Sequence, residues 1–197
     1  GLEIDADLLH GTLSMLPDRF DEEWRAGRQY GPTEALADCF TAFGDRLTSE
    51  DRDALAAAFE AASYELKVAP VADAADVLSA VAATGVAVGI ISDTALATGR
   101  HLRTYLDAYG IFQHVTFAAF SDEVGRSKPH RSMFDSAARQ LGVEIREMLH
   151  VGDRDHNDVK GPQQLGMKAI LFTASSDADK ANTTADAICE SFDELEE

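Results

Sequence analysis

The sequence predicts an α/β protein: a doubly wound, mostly parallel sheet joined to a small all-helical region. Two observations carry this. Residues 1–68 show only the 3.6-residue spacing of helices, and beyond Pro70 short apolar runs alternate with helical stripes. A boundary near 68/69 therefore separates a helical region (1–68) from an α/β region (69–197).

In the helical region, Leu36, Phe40 and Phe43 form an apolar stripe behind Pro32-Thr33-Glu34, with proline at an early helical position. Gly44 should end that helix. Thr48-Ser49 offers the next N-cap, followed by Glu50, Asp51 and Asp53 at the positive end of the helix dipole. Leu55, Phe59, Ala62 and Leu66 make its apolar stripe, and Trp24 and Tyr30 are expected in the core, the alternative being that they face a substrate.

In the α/β region, helices are expected over 74–83, 98–109, 131–141 and 159–165. Strands are expected over 86–91, 115–120, 148–151, 168–172 and, at an edge, 187–189. Val86 to Ile91 is almost continuously apolar, as suits a parallel strand covered on both faces. Residues 174–184 read as a polar surface connection, and no internal repeat or low-complexity segment occurs.

Composition narrows the function. The chain has 197 residues, 45% hydrophobic and 26% charged, as in ordinary globular proteins. Its net charge of −18 argues against a nucleic-acid partner, because phosphodiester backbones are bound by basic patches. No run approaches a membrane span and no signal peptide is recognisable. Cys39 and Cys189 are expected as core thiols of a cytoplasmic protein, a monomer or homodimer. Gly1 in place of an initiator Met is expected to reflect processing, tagging or truncation.

Ligands of open α/β sheets bind beyond the carboxyl ends of the strands, and three such ends carry chemistry. After the first strand comes Ser92-Asp93-Thr94, whose hydroxyls either hold phosphate oxygens or cap the next helix. Lys128-Pro129 precedes a helix, and Lys128 either neutralises a phosphoryl group or is a solvated loop lysine. The third end is an acidic loop, Gly152-Asp153-Arg154-Asp155-His156-Asn157-Asp158. Asp153 sits at the strand end as a direct ligand for a hard cation such as Mg²⁺, and Asp158 suits a water-mediated role. Asp155, Arg154 and His156 are expected to project outward.

With hydroxyl, lysine and paired aspartates in this order, the chain resembles the haloacid dehalogenase-like superfamily. The matching residues are Ile90-Ile91-Ser92-Asp93, Lys128-Pro129 and Gly152-Asp153 to Asn157-Asp158. Similarity also runs through Phe120 to Gly125 and Gly161 to Met167, and the likeness spans about residues 70–190. Arg131 departs from the pattern where many members carry a second proline. The resemblance implies a Rossmann-like core under a helical cap and a small phosphorylated substrate. It also implies catalytic roles for Ser92, Lys128 and Asp158, substrate contacts from Ser92, Asp93, Thr94 and Lys128, and Mg²⁺ on Asp153 and Asp158. The implied chemistry is an aspartyl-phosphate intermediate, with a second aspartate as general acid and base.

That nucleophile belongs to an Asp-x-Asp after a central first strand. Asp5-Ala6-Asp7 has the spacing, but Gly1-Leu2-Glu3-Ile4 is too short and polar for a buried strand. Asp5 and Asp7 are expected in the first helix or its lead-in. In the family's sheet the missing strand lies between the strands ending at Ser92 and Asp153. Its removal leaves a gap near twice the usual ~4.8 Å spacing, with unpartnered backbone groups along it. The nucleophile is therefore expected N-terminal to these residues. The leading reading is a Mg²⁺-dependent phosphatase-like hydrolase. The alternatives are a haloacid dehalogenase, a non-catalytic phosphate- or metal-binding module, and a flavodoxin- or receiver-like signalling domain.

Overall fold

The computed structural model describes residues 6–65 and 68–195; Asp5 and Leu66 lie outside the described residues. Three helices come first: α1 (Ala6–Arg25), α2 (Pro32–Phe43) and α3 (Ser49–Tyr64). Asp7 occupies the first turn of α1. Pro32 opens α2, and the Gly31 N–H donates to Glu34 at 2.8 Å. Gly44, at φ +57°, closes α2 in a conformation that disfavours a side chain. A capping box starts α3, with the Asp51 N–H donating to Thr48 and the Thr48 N–H to Asp51.

The stripe that α2 buries is Ala35, Cys39 and Phe43: Phe43 is buried as expected, Ala35 and Cys39 take the places expected of Leu36 and Phe40, and Phe40 packs beside them. Leu16, Tyr30 and Leu47 complete this cluster, and Leu55 and Phe59 cover it from α3. Ala62 differs from expectation: it is exposed, and Ser63 takes the buried place, donating to Leu96 O at 2.7 Å. Tyr30 is a core residue as expected. Trp24 is not: it lies half-buried and reaches away from this cluster.

The α/β region follows as α4 (Ala74–Ala83), β1 (Gly89–Ser92), α5 (Gly99–Ala108), β2 (Phe117–Phe120), α6 (Ser121–Val124), α7 (Arg131–Leu141), β3 (Leu149–Gly152), α8 (Gly161–Gln164), β4 (Lys168–Phe172) and β5 (Ala187–Cys189). Every strand pairing is parallel. β1 pairs with β2, and β3, β4 and β5 pair in that order. Among the described residues β1 and β3 are not paired with each other, and neither has a partner on its second edge.

Both groups of strands are held by one apolar cluster. Phe117 and Ala119 of β2 join Met133, Phe134 and Ala137 of α7 and Met167 before β4, with Ile91 of β1 and Met148 at the start of β3 packed against them. Phe134 also sets its ring edge-on to His150 of β3, centroids 5.6 Å apart. Helix α7 thus spans the unpaired edges. The expectation of a strand over 86–91 covered on both faces fails: β1 begins only at Gly89, none of its residues is buried, and Val86 is 59% exposed, while in β3 His150 is 8% exposed but Leu149 and Val151 are 54% and 37% exposed.

One element departs from its expected class. Of the helix expected over 159–165, Gly161–Gln164 is α8, and the acidic loop before it, expected as irregular, winds into a π-helical turn, Asp155–Lys160. The wider turn carries Asp155, Asn157, Asp158 and Val159 all inward. Phe134→Ala should cost about 3–5 kcal/mol, because a fully buried ring bridges the two strand groups. Urea unfolding checks this; a loss below about 1 kcal/mol would deny Phe134 that bridging role.

Candidate active site

The site forms where β1, the Lys128 loop and the π-helical turn meet. Gly152 ends β3, and a Cβ there would lie 2.4 Å from Asp158 Cγ, so only glycine lets the turn fold back so closely. Gly161 does the same one turn later, where a Cβ would meet Pro129 Cβ at 2.4 Å. These approaches press the turn against Lys128-Pro129.

Asp158 is the buried centre. Its Oδ1 accepts from Lys128 Nζ at 2.6 Å and His150 Nε2 at 3.1 Å, and its Oδ2 accepts from the Arg154 N–H at 3.0 Å. The Asp158 and Lys128 side chains are only 3% and 11% exposed. Burial alone would raise the Asp158 pKa, but Lys128 and His150 outweigh it and hold it below the usual carboxylate range. For Lys128, burial opposes the charge, yet Asp158 and Asp93 overcome it and raise the pKa. His150 is pushed down by burial, which leaves a neutral ring donating Nε2–H to Asp158.

Asp93 is a second hub. Its Oδ1 accepts from the Lys128 N–H at 2.7 Å, and its Oδ2 accepts from Trp24 Nε1 at 2.7 Å and Asn157 Nδ2 at 3.3 Å. Asn157 Nδ2 also donates to Lys128 O at 2.8 Å. Both main-chain groups of Lys128 are thereby fixed.

The structure brings Lys128, Asp158, Asp93 and the Ser92 strand end together and sets others apart. Ser92 is half-buried, and its hydroxyl donates to Asp93 O at 3.1 Å. Thr94 departs from a substrate-facing place: it is buried, with its N–H and hydroxyl taken by Ser121 and its hydroxyl also by Asp122. It joins the β1 and β2 ends. Asp155 was expected to project outward; it is buried, with its carboxylate on Lys160 Nζ at 2.6 Å. Asp153 remains 38% exposed, 3.3 Å from Ser175 Oγ.

A fit test for Mg²⁺ follows from these contacts. Both Asp158 oxygens already face donors, one of them an ammonium, so a cation there meets positive charge. Asp153 is then a single open carboxylate, and the described residues contain no group of three or more His, Cys, Asp or Glu that could hold a metal. Alone, these residues do not make a Mg²⁺ site, which needs several oxygen ligands.

His150 escaped sequence reasoning, and a polar side chain in an otherwise apolar strand is the only signal that pointed to it. Asn157 stood within the matched Asn157-Asp158 motif without a role assigned to it, and Trp24 was placed in the core.

Comparison with known proteins fits this arrangement. A family model described as haloacid dehalogenase-like hydrolase matches residues 30–172, and the chain belongs to that family. The glyceraldehyde 3-phosphate phosphatase of Pyrococcus abyssi (strain GE5 / Orsay) is 37% identical over 71 residues, which cover 36% of this chain and 28% of that relative. The crystal structure of 2-haloacid dehalogenase from Pseudomonas syringae pv. Tomato DC3000 superposes with a TM-score of 0.73 at 23% identity, covering 98% of this chain and 80% of that one. A HAD phosphatase from Thermococcus onnurineus gives 0.60 at 26% identity, covering 90% and 76%. No helix among the described residues is long and apolar enough to cross a membrane.

Asp158→Asn should destabilise the fold by about 3 kcal/mol at pH 7, because it leaves Lys128 buried beside a neutral partner. The sign with pH follows from the depressed pKa. The Asp158 contribution is complete above the unfolded-state value near about 4 and is lost as pH falls toward the folded value. The gap between wild type and variant in urea unfolding should therefore hold from pH 7 to about 5 and narrow below about 4. A gap that widens in acid would contradict the assignment.

Proposed function

We propose that the chain is the larger part of a phosphatase-type hydrolase acting on a small phosphorylated metabolite. The observation that carries this reading is the buried Lys128 ammonium, locked on Asp158 at the carboxyl ends of two strands whose facing edges are unpaired. A lysine held charged in a protein of net charge −18 is a prepared anion site. The phosphatase names of the relatives agree, although the alignment spans only about a quarter of their length.

The nucleophile is assigned to a strand outside these 197 residues, seated between β1 and β3 and ending in Asp-x-Asp. That strand would give both unpaired edges their hydrogen bonds. It would also bring a carboxylate beside Asp153, and Mg²⁺ is the cation such a pair would take. Lys128 would neutralise charge on the phosphoryl group and the attacking carboxylate, the Ser92 hydroxyl would hold a phosphoryl oxygen, and Asp158 would keep Lys128 in place. The helical region would close over the site as a cap and exclude water.

Release of inorganic phosphate from a panel of phosphorylated metabolites, with Mg²⁺ and with EDTA, tests this on the full-length protein. Turnover should require the cation. Lys128→Ala and Asp153→Asn should each lower kcat/KM about 100-fold or more, while circular dichroism stays native-like. Wild-type rates in either variant would remove the role given to that residue. Halide release from a 2-haloacid without Mg²⁺ would favour the dehalogenase branch.

A further inference from the structure

The Lys128 loop is fastened to the helical region by more than its neighbours in the core. Arg126 pairs with Arg28 in an antiparallel bridge. The Ser127 N–H donates to Gly27 O at 3.3 Å, and the Ser127 hydroxyl donates to Arg28 O at 3.1 Å. Lys128 itself donates its N–H to Asp93, whose other oxygen holds the indole N–H of Trp24 on α1. Three consecutive residues, ending at the lysine, are thus tied to the stretch from Trp24 to Arg28.

Both carboxylate oxygens of Asp93 are engaged by the protein: Oδ1 accepts one N–H and Oδ2 accepts two, where the resemblance implied a substrate contact. All three donors are protein groups, and two of the bonds measure 2.7 Å, short for N–H donors and consistent with a charged acceptor. The third donor, Asn157, also grips Lys128 O, so the carboxylate fixes the lysine main chain from both sides.

We propose that Asp93 and Trp24 are positioning residues for Lys128. Through them the docked helical region sets the lysine main chain, while Asp158 holds the ammonium, so that full ordering of Lys128 requires α1 on the strand end. The proposal rests on the phosphatase reading for its catalytic consequence, but the link itself is independent of it. When α1 lifts, Asp93 loses one of three donors, and the strap from Arg126 to Lys128 loses Gly27 and Arg28 together. Ordering the lysine and covering the site then become one event.

Trp24 is the one tryptophan in the chain, so its indole signal is unambiguous. Trp24→Phe keeps a ring to stack on Phe20, now 6.4 Å away between centroids, and deletes the N–H. In NMR spectra of the full chain, the wild-type indole N–H should exchange slowly, and Asp93→Ala should speed it about 10-fold or more. The Lys128 amide resonance should move in Trp24→Phe, while that of Ala187 on β5 stays in place. Unchanged indole exchange in Asp93→Ala, or an unmoved Lys128 amide, would overturn the link.

Turnover supplies the second arm. Trp24→Phe should lower kcat about 10-fold with KM changed less than about twofold, and the loss should vanish in a Lys128→Ala background. Multiplying losses would show that Trp24 does not act through Lys128. If the wild-type protein hydrolyses no phosphate ester, the phosphatase reading falls, and the exchange measurement still decides whether the link exists.

Discussion

The ion pair between Lys128 and Asp158 is the interaction around which the rest of the α/β region is arranged. Two opposite charges are withdrawn from water, a desolvation cost that well-packed apolar residues would avoid. Its geometry shows what limits that cost. Asp158 accepts from three donors, and the main chain of Lys128 is fixed at both its N–H and its C=O. Several local features exist to make the approach: Gly152 and Gly161 remove Cβ atoms that would collide, and the π-helical turn carries Asn157 and Asp158 inward together. A fold selected for stability alone has little reason to assemble this. A fold that must present an ammonium to an anion does.

The second constraint is the pair of free strand edges. Unpaired N–H and C=O groups on parallel strands are costly when dry and invite other chains when wet. Here the gap is bridged on one side by α7, whose Phe134 touches His150 while its neighbours pack on β2. The strand groups therefore keep their relation without direct pairing. Side-chain packing sets where β1 and β3 stand, and the backbone between them remains open to a strand of matching length.

Much of this was legible from the residues. The bounds of Ala74–Ala83, Arg131–Leu141, Lys168–Phe172 and Ala187–Cys189 follow from apolar spacing, because each buries one face or one run against a nearby partner. The unpaired edge beside Ser92 followed from the resemblance, since the sheet of that family places a further strand between the strands ending at Ser92 and Asp153. What failed has a common cause. Trp24 meets Asp93 across 69 positions, and Thr94 meets Ser121 across 27, so no local period encodes either destination. Asp155 turned inward because the loop expected there winds into a π-helical turn, which charge patterning does not announce. Asp158 was read as a carboxylate near a metal, and its filled coordination became visible only when His150 and the Arg154 N–H were in place.

Charge decides how these parts act together. With a net charge of −18, the chain repels anions at long range, so a phosphorylated ligand gains little from general steering. The attraction must be local, and among the site residues Lys128 is the buried cation that can supply it. Asp93 and Asp158 work in its favour twice. They hold the ammonium charged against its desolvation, and each has both oxygens engaged by protein N–H donors, which offsets part of its own negative charge. Asp153 is the carboxylate left comparatively open. An approaching phosphate would meet repulsion from that carboxylate unless a cation lay between them.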